Sequence, residues 1–264
     1  MSLAPSHGTM AGMLCAGRWL ALVAAVAITG CATSNTTTVH ETLSEPQARP
    51  LPRKLLLLPA EVRVHEVSAG GVVEKVDDWT QSASAHAMAY LREVGAARGY
   101  ELIESPRLSA EDRAVLDEHI ALYSLVAGSA YFAQHAGIAA WRERGKQFDY
   151  SLGPGLKDLA AHTGADAAVV VVGTDYISSS GRKMAMLFGV LLGAAAGTVI
   201  VPQGGVAFIS VGLVDLRTGD LLWFDTQQSP NIDLRNEPDV RKAMDAIFQT
   251  HPGSTPPAQP KNAS

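Results

Sequence analysis

Cysteine is nearly missing from this 264-residue chain: Cys15 and Cys31 are all it holds. At most one disulfide is available, too little for a disulfide-built fold. Positive charge is also short, with 21 Lys+Arg against 26 Asp+Glu and a net charge of −5. Nucleic acid wants a basic face, and so do anionic headgroups, so neither is expected to attract this chain in general. The catalytic signatures are missing too: there is no G-x-S-x-G elbow, no H-E-x-x-H, no P-loop and no G-x-G-x-x-G after a strand. The eight His do not cluster, and no pair has zinc spacing. His119 and His135 share a predicted helix but are sixteen residues apart, on nearly opposite faces. His86 is expected on the exposed side of its helix, beside Tyr90 and Glu93. Glu118 and His119 are adjacent and point about 100° apart on a helix, so they make no acid–base pair.

What is present begins with the N-terminus. Arg18 is followed by an apolar run, Trp19 to Ile28, and then by Thr29-Gly30-Cys31-Ala32. A positive charge, a short apolar region and a small-residue cleavage site predict a secretory signal peptide over residues 1–30. The run is too short for a transmembrane helix, which needs about 20 residues. Ile28-Thr29-Gly30-Cys31 resembles the lipobox of bacterial lipoproteins, with Thr29 where Ala or Ser is commoner. The resemblance implies cleavage before Cys31 and its acylation with diacylglycerol and an N-acyl chain. It implies no other cofactor. Two or more acyl chains anchor a protein stably. Ala32, in place of an inner-membrane-retaining Asp, points to the periplasmic face of the outer membrane. Cys15 would leave with the signal peptide and Cys31 would carry lipid, so no disulfide remains and the core alone must hold the domain. Cleavage removes Arg18 and no acid, leaving 20 basic against 26 acidic residues and a net charge of −6.

Residues 31–52 are polar and Pro-containing and read as the lipidated Cys and a flexible tether, about 70 Å long if fully extended. Residues 251–264 read as a disordered tail. Between them, 53–250 is long enough for one domain with a substantial core. Leu55 to Leu58, ended by Pro59, and Ala167 to Val172 are short continuous apolar runs, the pattern of strands buried on both faces. Val62, Val64, Val72, Val73 and Val76 flank Gly70-Gly71 as a small hairpin. Ala83, Ala87, Tyr90, Leu91 and Val94 predict a helix from about Thr80, capped by Asp77-Asp78 and stopped at Gly99. Tyr100 to Ile103 is a short strand. Ser109 and Asp112 form a capping box for a helix to about His135, with Leu116, Ile120, Tyr123, Ala127 and Tyr131 as its stripe. A short helix, 156–162, is stopped by Gly164. Near the end, a strand over 206–216, a turn at Arg217-Thr218-Gly219-Asp220 and a strand over 221–225 make a hairpin. A last helix follows, with Pro238 in its first turn and Val240, Met244, Ile247 and Phe248 on its core face. The fold class is α/β: a single domain with a mixed β-sheet flanked by helices and a C-terminal β-hairpin and helix.

This order, with Val214-Asp215-Leu216-Arg217-Thr218-Gly219-Asp220-Leu221-Leu222-Trp223 near its end, is similar to envelope lipoproteins built on the fold of the TolB N-terminal domain, the group of the curli secretion lipoprotein CsgG and the penicillin-binding-protein activator LpoB. The resemblance implies assembly and regulation in the envelope rather than catalysis.

The least ordinary stretch is 184–201, eighteen residues without a charge, in which Gly189, Gly193 and Gly197 recur every fourth position. Its Ala and Gly content, its place between two strands of one sheet, and the lipid anchor all argue against a membrane span. Glycine costs about 1 kcal/mol against alanine in a helix, so three of them need close packing in return. The partner is either the domain's own sheet or an interface, for which Gly189, Gly193 and Gly197 are the candidate residues. Ser178-Ser179-Ser180-Gly181 reads as a flexible cap for the helix that follows it. Arg182 and Lys183, at a helix start that disfavours cations, suit either solvent or an anion. The leading expectation is a lipid-anchored periplasmic accessory or scaffold lipoprotein, non-catalytic, bound to another envelope protein. The alternatives are an oligomeric secretion or transport component assembled through 189–197, and a periplasmic hydrolase.

Overall fold

The computed structural model describes residues 34–43, 49–135, 148–184, 186–187 and 205–252, with backbone alone for 34–38, 134 and 135. Among the described residues, eight strands form one mixed sheet. They are β1 (Ser34–Val39), β2 (Lys54–Leu57), β3 (Glu61–Val67), β4 (Val73–Lys75), β5 (Glu101–Glu104), β6 (Ala167–Ser178), β7 (Ala207–Asp215) and β8 (Leu221–Ser229). The helices are α1 (Asp77–Ala97), α2 (Ala110–His135), α3 (Lys157–Thr163) and α4 (Glu237–Gln249), and residues 180–184 and 186–187, after β6, are also helical. The sheet runs β1-β8-β7-β6-β2-β5, and β3 pairs with both β6 and β4. β6 is parallel to β2 and β3, and β2 to β5; the β6–β7, β7–β8, β8–β1 and β3–β4 pairs are antiparallel.

The continuous apolar strands have the cause their pattern suggests: helices cover both faces. Leu55, Leu57, Val169 and Val171 point to the layer of α1 and α4, and Leu56, Leu58, Val170 and Val172 to the layer of α2. Because successive side chains alternate, one apolar run serves two cores. α1 buries Ala83, Ala87, Tyr90 and Leu91. Burial of one such leucine is worth about 1.5–3 kcal/mol. Gly99 ends this helix with φ 73°, a left-handed C-terminal stop that only glycine adopts without strain. At α2, Ser109 Oγ accepts the Asp112 N–H at 3.0 Å, as the capping box requires.

β6 has room for two parallel neighbours in line. β2 pairs along Ala167–Val169, and β3 along Val172–Ser178. Leu58, Pro59 and Ala60 join them, a link too short for a crossover, so both strands lie on the same side of β6.

Several expectations are corrected. Residues 34–39, placed in the tether, form edge strand β1, with Ser34 opposite Gln228 and Val39 opposite Trp223. The Ser-Asn-Thr-Thr-Thr-Val sequence is polar, but its β-branched residues suit an extended edge and satisfy the backbone of β8. Asp77 and Asp78 are not caps: α1 starts at Asp77, and its N-cap is Val76 with no side-chain cap bond. The acids lie in the first turn, where the helix dipole favours them. β6 and β8 run further than expected, to Ser178 and Ser229. The tail begins later than 251, because His251 is buried against Trp223 with ring centroids 4.7 Å apart.

Candidate functional site

α2 lies across its face of the sheet on two polar fasteners. Tyr123 is buried at mid-helix, and its hydroxyl meets Ser210 Oγ at 2.8 Å. Gly212 makes the room: a Cβ there would stand 2.7 Å from Tyr123 Cζ. Ser210 Oγ donates to the Asp225 carbonyl at 3.3 Å and accepts from Thr226 Oγ1 at 3.2 Å. Near the helix end, the Tyr131 hydroxyl donates to Gln228 Oε1 at 3.4 Å.

Beside α2, where the sheet passes from β2 to β3, a groove of about 650 Å³ is open to solvent. Its floor is Val172, Gly173, Thr174 and Phe208; its helix wall is Asp117, Ile120, Ala121, Ser124, Leu125 and Ala127. Glu61 and Arg63 of β3 form the far rim. Leu125 stands on the helix wall with 70% of its surface exposed. Between Ile120 and His135 the helix carries no Asp, Glu, Lys or Arg. An outward helix face is ordinarily charged. An apolar floor with a few rim charges and hydroxyls suits an extended or helical apolar segment more than a small reactant.

A second cleft, of about 360 Å³, opens at the C-terminal end of β6, lined by Asp175, Tyr176, Lys183, Asn231, Asp233 and Arg235 among others. Asp175 is 1% exposed, and burial pushes its carboxyl up to about 6 against the opposing effect of the Leu234 N–H bond. That bond, 2.9 Å to Asp175 Oδ2, fastens the loop from Pro230 to Arg235 to the sheet. Arg235 forks onto Asp233 at 2.6–3.2 Å and lies 4.5 Å over the Trp79 ring. Its guanidinium hydrogen bond holds the Asp233 carboxyl below the usual range. These charges are occupied with one another, and the cleft's acid is a fastener rather than a free base.

A third cavity, about 20 Å³, lies between α1, the sheet and α4. It is the size of one water. Among the described residues, Trp223 Nε1 and His251 Nδ1 in its lining have no hydrogen-bond partner. Burial, helped by the nearby Arg98, pushes the His251 imidazole down to about 4, so the ring is neutral.

Of the residues singled out in the sequence, Cys31, Gly189, Gly193 and Gly197 lie outside the described residues, as does most of 184–201. Ser179 is the cap it was read as: its Oγ accepts the Arg182 N–H at 3.1 Å. His86 is half-buried, not exposed, and its Nδ1 has no partner among the described residues. His119 turns away from Glu118, with Nδ1 2.7 Å from the Val115 carbonyl. Among the described residues no group of His, Cys, Asp or Glu could hold a metal ion, and no helix is long and apolar enough to cross a membrane. Sequence reading missed the groove and Asp175. The uncharged stretch of α2 was the available clue to the first, and a lone Asp after an apolar strand to the second.

No protein-family model and no curated protein matches the chain. Among solved structures it is similar to a point variant of the PelC dodecamer from Paraburkholderia phytofirmans, at 13% identity over 82% of this chain and 98% of that one, with a TM-score of 0.33. The PelC dodecamer of the same organism in a second crystal form is similar at 12% identity over 81% and 95%, with a TM-score of 0.32. At these values the likeness transfers no residue role and no activity.

Proposed function

We propose that this chain is a lipid-anchored envelope protein that binds another envelope protein through the groove beside α2 and carries out no chemistry of its own. The lipobox-like Ile28-Thr29-Gly30-Cys31 supports the anchor. The observation that carries the binding role is the groove of about 650 Å³ whose helix wall carries no charge beyond Asp117 at its edge. A helix face without charge is costly to leave in water and is stabilised by a partner. The polar groups at the rim, Glu61, Arg63, Asp117 and Ser124, would fix the partner's register.

The anchor is tested by labelling cells with palmitate: the wild-type chain should take up label, and Cys31→Ser should not. Binding is tested with a photoreactive side chain at position 125. One discrete adduct with an envelope protein is expected, and Ala121→Trp, which fills the groove from an exposed position, should abolish it. Indifference of the adduct to Ala121→Trp, or no adduct in intact cells, would rule the groove out as the binding surface.

A further inference from the structure

Resting on the lipid-anchor reading above, we infer that one end of the sheet lies directly on the membrane surface: the end where β1 begins. The first argument is chain length. Ser34 is hydrogen-bonded into the sheet opposite Gln228, so only Ala32 and Thr33 separate the sheet from an acylated Cys31. The three steps from Cys31 to Ser34 reach about 11 Å. The domain is therefore held against the bilayer rather than at the end of a long tether. The direction is also fixed. β1 is antiparallel to β8, so the chain before Ser34 leaves the sheet at the end where β8 finishes, at Ser229.

The second argument is what that end exposes. One row across the sheet pairs Ser34 with Gln228, Gln228 with Phe208, Phe208 with Thr174 and Thr174 with Arg63. β3 and β6 continue past this row to Val67 and Ser178. Among the described residues, the exposed large apolar side chains other than Leu125 all lie at this row or beyond it. Phe132, 59% exposed, follows Tyr131, whose hydroxyl is on Gln228. Val206 immediately precedes β7, and Val72 and Val73 form the tip of the β3–β4 hairpin. Met184 and Leu187, 52% and 51% exposed, lie on the helix that opens just after β6. The opposite end carries Arg53, Lys54, Glu101, Arg217 and Asp220, as a face in water should.

Apolar tips on separate elements, rimmed by polar groups, suit contact with the headgroup and upper acyl region better than a shaped protein pocket. Arg182 and Lys183 stand beside Met184, where long cationic side chains can bury their stems and reach lipid phosphates. The acids of the hairpin, Glu66 and Glu74, flank the patch and limit the depth of entry. The short anchor holds the domain at the bilayer, and the apolar end sets how the domain, and with it the groove, is oriented.

The test uses the full-length chain expressed in cells, purified with its lipid and placed in vesicles of phosphatidylethanolamine and phosphatidylglycerol. A fluorophore is attached to a single new thiol in Phe132→Cys, Met184→Cys or Arg217→Cys. Nitroxide-labelled lipids should quench most of the emission at 132 and 184 and leave 217 unchanged. Aqueous iodide should give the reverse. Equal lipid quenching at all three sites would show a freely tumbling domain and overturn the inference while leaving the lipid anchor standing. A label at 132 protected from both quenchers would mean that protein covers this end, and would overturn it equally. A chain that takes up no palmitate and washes off the vesicles would remove the anchor, and the inference with it.

Discussion

The buried hydroxyl chain under α2 gives the sharpest test of how this domain is held together. Ser210 has one proton, given to the Asp225 carbonyl, and it accepts from Tyr123 and Thr226. Tyr123→Phe removes one donor but leaves Ser210 with two partners. It should cost about 1 kcal/mol, the net worth of one neutral hydrogen bond. Ser210→Ala instead strands the Tyr123 hydroxyl, which is fully buried. An unsatisfied buried hydroxyl costs about 1–3 kcal/mol, so this variant should lose more, about 2–3 kcal/mol. In the double variant the stranded hydroxyl is gone, and the loss should fall below that of Ser210→Ala alone. For a domain of this size each kcal/mol lowers Tm by about 2–4 °C. Urea unfolding of the four proteins, followed by tryptophan fluorescence, measures the cycle. Strict additivity, or a larger loss for Tyr123→Phe than for Ser210→Ala, would refute the assignment of donors.

Gly212→Ala should destabilise by about 1–3 kcal/mol, because the added methyl meets the Tyr123 ring rather than the end of a flexible chain; Tyr123→Leu in the same protein should recover part of the loss in thermal unfolding. Asp175, with its folded pKa raised to about 6, binds more protons in the native than in the unfolded state. Its contribution is full below the unfolded value of about 3.9 and is lost as pH rises through about 6, a fall of up to about 3 kcal/mol. Asp175→Asn, whose amide oxygen still accepts the Leu234 N–H, should flatten that fall in unfolding curves taken between pH 4 and 7. His251 runs the other way: with its folded pKa lowered to about 4, it gives stability above the unfolded value of about 6.5 that is lost as pH falls towards 4. His251→Phe should remove this acid limb, and a proton count from the pH dependence of unfolding would check it.

Local pattern made most of the elements legible. Continuous apolar runs at Leu55–Leu58 and Ala167–Val172 announced strands covered on both faces, and the helical spacing of Ala83, Ala87, Tyr90 and Leu91 announced α1. Gly99, Gly164 and Gly219 marked stops and a turn, and each has the positive φ that such positions need. These features were readable because their cause is local: side-chain period, capping and left-handed backbone act over a few residues.

The edge position of β1 was not readable, because a polar Thr-rich stretch is a tether or a strand according to whether a free strand edge is within reach, and that edge belongs to β8, nearly 190 residues away in sequence. The same holds for the groove: it exists because β2 and β3 dock in line along one long strand and α2 lies beside the junction. His251 was assigned to the tail by composition, yet packs on Trp223 of a different element. The sequence by itself determined most of the strands and helices, how they pattern into an α/β domain, and that Cys31 stands in a lipobox-like context. Only the tertiary structure decided which polar segment pairs with which edge, which acid is buried, and that the exposed apolar residues share one end, because each of these depends on contacts between distant parts of the chain.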